Sequence, residues 1–160
     1  MKHIIGKCAF LLSLVTFGAS ATVVTHVTAS GYDEKNGHLP QNAIDGSVKT
    51  RWAVNGDGWL QLALAPGAEI NNVVIVPFKA AERRLRFSLY WSADGQRWQP
   101  LAQQQVTASD APLGQKWVFS PVAASFLKIE TFGTDVNKWS AINEVRINDD
   151  APLPAVNVSG

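Results

Sequence analysis

Gly58-Trp59-Leu60-Gln61-Leu62-Ala63-Leu64 decides the class of this protein, because Leu60, Leu62 and Leu64 alternate with Gln61 and Ala63. Successive side chains on a strand point to opposite faces, so a period of two marks a strand with one buried side. The pattern recurs outward from it. Phe87, Leu89 and Trp91 alternate with Arg86, Ser88 and Tyr90, and Val145 and Ile147 alternate with Glu144 and Arg146. Further β-rich runs cover 23–28, 70–78, 98–101, 116–120 and 126–132. Turn clusters such as Asn55-Gly56-Asp57-Gly58, Ala65-Pro66-Gly67 and Ala93-Asp94-Gly95 separate them. No segment keeps a helical period; the one helical hint is a turn after Pro40 that Gly46 would end. About eight short strands without a helical layer predict an all-β fold, a β-sandwich of two packed sheets. The polar connections 46–59, 79–84 and 133–141 then gather at the ends of the sandwich, where function is expected.

The ends of the chain read differently. Residues 1–21 carry Lys2 and Lys7, an apolar stretch from Cys8 to Phe17 and Ala19-Ser20-Ala21, the pattern of a cleavable signal peptide. The expectation is a secreted or periplasmic protein of bacterial type whose mature chain begins at Thr22. Residues 22–149 form one domain, and 150–160, with Pro152 and Pro154, read as a disordered tail. Cys8 is the single cysteine, so the mature chain has no thiol chemistry, no disulfide and no cysteine-ligated zinc. Taking Lys2 and Lys7 from the 14 basic residues leaves 12 against 13 acidic ones. With no run of like charges, that balance argues against nucleic acid or an anionic membrane held by bulk electrostatics.

Two constellations can carry chemistry. Asn42-Ala43-Ile44-Asp45-Gly46-Ser47-Val48-Lys49-Thr50 places a carboxylate, a sharp-turn glycine and a hydroxyl within nine residues. Calcium takes six to eight oxygens, many of them carbonyls, although such a loop is by itself more often an ordinary turn. Lys79, Arg83, Arg84 and Arg86 crowd four cations into eight positions, countered only by Glu82. Arg86 alternates outward from its strand, whereas Lys79 and Arg83 sit where a loop could aim both at one carboxylated ligand. The bland reading is that long basic side chains solvate a loop. Trp139, in the polar stretch after Asn137 and Lys138, can offer a flat apolar platform to a sugar ring. Trp59, Trp91, Trp98 and Trp117 are expected to anchor the core, and Trp52 to pack under the 42–50 loop with Arg51 facing the ligand.

The order of these pieces resembles a known family. Asn42-Ala43-Ile44-Asp45-Gly46 with Thr50-Arg51-Trp52, Gly58 to Leu62, Trp91-Ser92-Ala93-Asp94-Gly95 with Trp98, Leu127-Lys128-Ile129, and Trp139 with Ile142 to Ile147 are similar to the discoidin, or coagulation factor five/eight type C, domain. Phe78-Lys79-Ala80-Ala81-Glu82-Arg83 and Asn137 to Ile142 resemble the family 32 carbohydrate-binding modules associated with alginate lyases. The resemblance implies a discoidin-like jelly roll with a structural calcium. It implies main-chain oxygens at Asn42, Ser47 and Asn143, side-chain oxygens at Asp45 and Glu144, and both oxygens of Thr50. Ser47 stands where the family often has Asp. Galactose-binding members often carry His after the tryptophan matching Trp52; Ala53 stands there and makes galactose less favoured. The loops also lack the apolar spikes of lipid-binding relatives.

Catalysis has no candidate group. His26 lies in a strand, His38 sits in a loop without a paired nucleophile, and no nucleophile elbow, His-Glu-x-x-His pair or phosphate loop is present. The expected protein is therefore a monomeric, non-catalytic, lectin-like module that binds an acidic polysaccharide such as alginate. Arg51, Lys79, Arg83, Asn137 and Trp139 would form its sugar site. The alternative is an adhesion module that recognises a cell-surface glycan or a protein through the same loops.

Overall fold

The computed structural model describes residues 22–158; the expected signal peptide lies outside the described residues. Ten strands run in chain order: β1 (Val24–Ala29), β2 (Trp52–Asn55), β3 (Gly58–Leu64), β4 (Glu69–Pro77), β5 (Leu85–Ser92), β6 (Gln99–Val106), β7 (Gln115–Ala123), β8 (Phe126–Thr134), β9 (Trp139–Ile147) and β10 (Ala155–Asn157). They make two five-stranded sheets, ordered β1-β3-β8-β5-β6 and β10-β7-β4-β9-β2. Every pairing is antiparallel except that of β10 with β7. The β-sandwich is as the alternation predicts, and the turn after Pro40 is a short 3-10 helix, Pro40–Ile44.

The apolar half of each alternating strand fills the space between the sheets. Leu60 and Leu62 on β3 stand opposite Ile129 and Leu127 on β8, and Leu89 on β5 meets Ile129 from the other side. From the second sheet come Ile70, Val73 and Ile75 of β4, Trp117 of β7 and Ile142 of β9, all fully buried. Each large side chain so buried contributes about 1.5–3 kcal/mol. Phe87 and Trp117 meet edge to face across the gap, with ring centroids 4.7 Å apart, and so tie one sheet to the other.

The tryptophans divide more than expected. Trp52 and Trp117 are fully buried and Trp91 packs against the core, but Trp59 and Trp98 are half-buried and lie outside it. Trp59 is the neighbour of buried Leu60, and the same period of two that turns Leu60 inward turns Trp59 out. Trp98 sits in the turn before β6, edge-on to Phe126 at 6.5 Å.

Of the segment 150–160 expected to be a disordered tail, the described residues 150–158 are ordered instead. Lys116 on β7 donates its Nζ to the carbonyls of Asp149 and Ala151, and its backbone N–H to Pro154. These bonds steer 155–157 alongside β7, and Val156 and Val158 pack against the core. The prolines do not oppose this: Pro154 ends just before the strand, and a carbonyl is all it need supply. Removing residues 151–160 should lower the melting temperature by roughly 2–8 °C. It should also speed hydrogen exchange of the Lys116 amide, which the tail covers; an unchanged Lys116 amide would show that β10 is not docked in solution.

Candidate ligand-binding site

Ends of five strands converge on one hollow of about 230 Å³. Arg51 and Ala53 border it from the start of β2, Phe78 from the end of β4, and Arg83 and Leu85 from the entry to β5. Thr134 ends β8 there, and Trp139 and Ala141 open β9. A loop completes the lining, and its residues Asp33 and His38 face the same space.

The mouth of this hollow is cationic. The Arg51 guanidinium carbon lies 4.0 Å from the centroid of the Phe78 ring, that of Arg83 lies 5.5 Å away, and Lys79 Nζ lies 5.7 Å away. A cation is attracted to the negative face of an aromatic ring, and the ring also limits where each long side chain can go. Lys79 is ion-paired to Glu82 at 3.3 Å, whereas neither Arg51 nor Arg83 has a carboxylate partner among the described residues. Arg84 is withdrawn from the cluster by a bidentate tie to Asp135, its N–H and Nη1 each 2.8 Å from a carboxylate oxygen. These two donors, the backbone N–H foremost, hold the Asp135 carboxyl below its ordinary value. Lys79 itself has φ +52, a left-handed conformation that a non-glycine residue keeps only where its surroundings impose it. Its carbonyl accepts the N–H groups of Glu82 and Arg83, closing the turn that turns Arg83 toward the ring.

Trp139 is held by a tight turn. Thr134 Oγ1 accepts the N–H groups of Val136 and Asn137, and Asn137 Oδ1 accepts the N–H of Trp139 at 3.0 Å. Asn137 thus shapes the turn beneath Trp139 and does not line the hollow. Trp139 is 37% exposed. Gly133, at φ +72, leaves no room for a larger residue: a Cβ there would stand 2.9 Å from the Asn137 carbonyl oxygen.

The loop wall supplies a pair of groups missing from the sequence-derived site. Asp33 Oδ2 accepts from Asn36 Nδ2 at 2.8 Å and faces His38 Nδ1 at 3.0 Å. The Asn36 hydrogen bond, then His38, keep the Asp33 carboxyl below its ordinary value. An ionised Asp33 requires the proton on Nδ1, which leaves Nε2 as the second polar atom of the ring. Main-chain bonds from Asp33 N–H to Ala53 O, and from Ala53 N–H to His38 O, fasten the pair to β2. An imidazole therefore borders the hollow beside Ala53, although it comes from another loop. Asp33, His38 and Phe78 are the polar and aromatic site residues that sequence reasoning missed. Phe78 was detectable as the ring immediately before the basic cluster; His38 meets Ala53 only through a non-local bridge.

In the loop that precedes Arg51, oxygens crowd together. Asp45 accepts from the Ser47 N–H and from the Thr50 hydroxyl, and Thr50 Oγ1 lies 3.5 Å from the Ser47 carbonyl oxygen. Asn42 Nδ2 donates to the carbonyls of Gly37 and Arg51, and Asn143 Nδ2 to that of Val48, so both amides pin the loop. Glu144 is 5% exposed and its Oε2 is buried without a hydrogen-bond partner. Burial, and then the Asp45 charge, push its carboxyl up to about 7. No three His, Cys, Asp or Glu side chains cluster among the described residues. A cation here would need hydroxyl and main-chain oxygens besides the two carboxylates, and the loop presents both.

The family model for the F5/8 type C domain matches residues 26–145. The chain belongs to the F5/8 type C domain family. Among solved structures, this F5/8 type C domain is similar to a pectin binding carbohydrate binding module at 52% identity and TM-score 0.84. That match covers 86% of this chain and 99% of the other. It is also similar to the family 32 module of AlyQ in complex with 4,5-unsaturated mannuronic acid, at 27% identity and TM-score 0.75, covering 82% and 99%. A family 32 module from Clostridium perfringens in complex with GalNAc-β-1,3-galactose shares the fold at 19% identity and TM-score 0.64, covering 76% and 93%. No curated protein sequence matched. The domain thus has the carbohydrate-binding-module fold.

The Gly133 constraint gives a direct test of how Trp139 is placed. Gly133→Ala should cost about 1–3 kcal/mol, from backbone strain plus the clash with the 137–138 backbone. Chemical denaturation would measure the loss, and the Trp139 indole resonance should shift with it. Wild-type stability in the variant would show that the turn relaxes freely and does not hold Trp139.

Proposed function

We propose that this F5/8 type C domain is an exported, non-catalytic module that binds a uronic-acid polysaccharide at the loop hollow. The observation that carries the reading is the pair of guanidinium groups, Arg51 and Arg83, set against one Phe78 ring with no carboxylate to neutralise them. Guanidinium binds carboxylate through two parallel hydrogen bonds, and a ring-supported fork loses little freedom in doing so. Trp139 stacks on a pyranose face, His38 and Asp33 meet hydroxyls, and Lys79 adds long-range attraction. Asn137 contributes through the position of Trp139. The 52% identical module that binds pectin supports galacturonan as the preferred polymer. Alginate is the second reading, supported by the uronic acid held by the AlyQ module.

Affinity electrophoresis through polygalacturonate, alginate and neutral galactan tests this directly. Retardation is expected in an acidic gel and should fade as ionic strength rises. Arg83→Ala removes a charge-assisted pair worth about 1.5–3 kcal/mol, a loss of roughly 10–100-fold in affinity. Trp139→Ala should weaken retention about tenfold. Retardation by galactan alone would move the reading to a neutral-glycan lectin. Release of reducing ends or unsaturated products would overturn the non-catalytic role.

We also propose that calcium occupies the oxygen cluster, held by Asn42, Asp45, Ser47, Thr50, Asn143 and Glu144. The orphaned, buried Glu144 oxygen supports the fit, since a carboxylate in that position needs either a proton or a cation. The ion would supply charge neutralisation and loop rigidity. At about 100 times its dissociation constant it would add about 2.7 kcal/mol to stability, so chelation should lower the melting temperature by several degrees. Glu144→Gln should abolish that calcium-dependent shift; a melting temperature indifferent to calcium in the wild type would remove the ion from the account.

A further inference from the structure

The outward face of the first sheet carries rings and amides that the loop hollow does not use. Phe132 on β8 is 38% exposed and walls two shallow hollows. One, of about 300 Å³, it shares with Arg86 and Gln104; the other, of about 550 Å³, it shares with Tyr90, Gln103 and Gln104. Lys128 Nζ lies 5.5 Å from the Tyr90 ring and 4.4 Å from the Trp98 ring. The aromatic surface thus continues along the face toward the turn before β6.

The backbone is distorted to present this face. The pairing of β5 with β6 slips from Phe87↔Gln105 to Leu89↔Ala102, and within that bulge Gln104 takes φ +53. Its N–H donates to the hydroxyl of buried Ser88 at 3.0 Å, which holds the strained residue in place. A bulge re-aims side chains, and strain of this kind clusters at functional sites. Here it exposes two consecutive amides, Gln103 and Gln104. β6 is an edge strand, and the bulge and Pro100 by themselves protect such an edge, with no need for two exposed amides. Amides, which both donate to and accept from hydroxyls, set beside flat rings are the chemistry of a sugar surface.

The face also runs directly out of the loop hollow. Leu85 and Thr134 line the hollow, and Arg86, the next residue on β5, donates its Nη2 to the Thr134 carbonyl at 3.0 Å. Arg86 pairs with no carboxylate among the described residues, and Glu130 is engaged by Lys128 at 3.3 Å. From Thr134 to Lys128 the strand offers roughly 20 Å of surface.

We propose that this face is a second binding track for the same acidic polysaccharide, taking the units of the chain that extend beyond the loop hollow. Arg86 meets their carboxylates, Phe132 and Tyr90 their ring faces, and Gln103 and Gln104 their hydroxyls. The proposal rests on the uronic-acid reading of the hollow. Joining two weak contacts on one polymer raises its affinity without changing that of a short fragment.

Titration calorimetry on the full-length protein separates the two surfaces, using galacturonan and alginate each as disaccharide and as polymer. The variants are Trp139→Ala and the double variant Phe132→Ala with Gln104→Gly. Glycine suits the positive φ and Phe132 is exposed, so the double variant keeps the fold, which thermal melting checks. It should retain wild-type affinity for the disaccharide and lose about tenfold or more for the polymer; Trp139→Ala should lose both. Wild-type polymer affinity in the double variant would overturn the track and leave the loop hollow standing. A wild type that binds neither length of either sugar would overturn the uronic-acid reading and the track with it. Conversion of a dimer to a monomer by the double substitution, seen in sedimentation, would assign the face to a second copy of this chain and overturn the proposal.

Discussion

The burial of Trp52 is the constraint on which the binding end of this domain depends. Its ring is fully enclosed, and its indole N–H reaches the Gly31 carbonyl at 3.0 Å, so the first loop is drawn against β2. The same strand pairs with β9 from Trp52↔Ile142 to Asn55↔Trp139. One register therefore sets Arg51, Ala53, Trp139 and Ala141 around one space. A slip of one residue would turn every one of these side chains to the other face of the sheet. Neither the indole nor its hydrogen bond touches the hollow, yet without them the walls have no common reference.

Charge is separated within a very short stretch of chain. Thr50 belongs to the oxygen cluster with Asp45, Arg51 belongs to the cationic mouth, and Trp52 to the core. Opposite charges so close in sequence would pair if the loop were free to fold back. They are kept apart because Asn42 and Asn143 tie the loop by their amide groups, and the Phe78 ring occupies the guanidinium face. The unneutralised cation at the mouth is thus a product of rigidity, and rigidity is also what lets a shallow site bind without a large ordering cost.

A hollow of about 230 Å³ encloses little of a polymer. On the uronic-acid reading proposed above, the rest of a long ligand lies beyond it, and the strands that wall the hollow continue into the outward face of the first sheet. The half-buried Trp98 belongs to that face. Aromatic side chains outside the core of a sandwich are costly to leave in water, and here they gather beside amides and not at a sheet-to-sheet contact.

The β-sandwich was legible in the sequence, because strands such as Leu60 to Leu64 bury one side and no helical period offers a layer to cover it, which calls for a second sheet. The sequence also marked Arg51, Arg83 and Trp139 as groups at one end of that sandwich, and the 42–50 loop as an oxygen-rich turn. Local pattern misjudged Trp59 and Trp98, since tryptophan is apolar enough to suggest the core wherever it stands. It misjudged the tail, whose order comes from Lys116 more than thirty residues earlier in the chain. Tertiary structure alone decided that His38 would stand beside Ala53, that Asp135 would remove Arg84 from the cationic cluster, and that Asn137 would spend its side chain on a turn. Those outcomes depend on which distant backbone groups meet, and no local period carries that information.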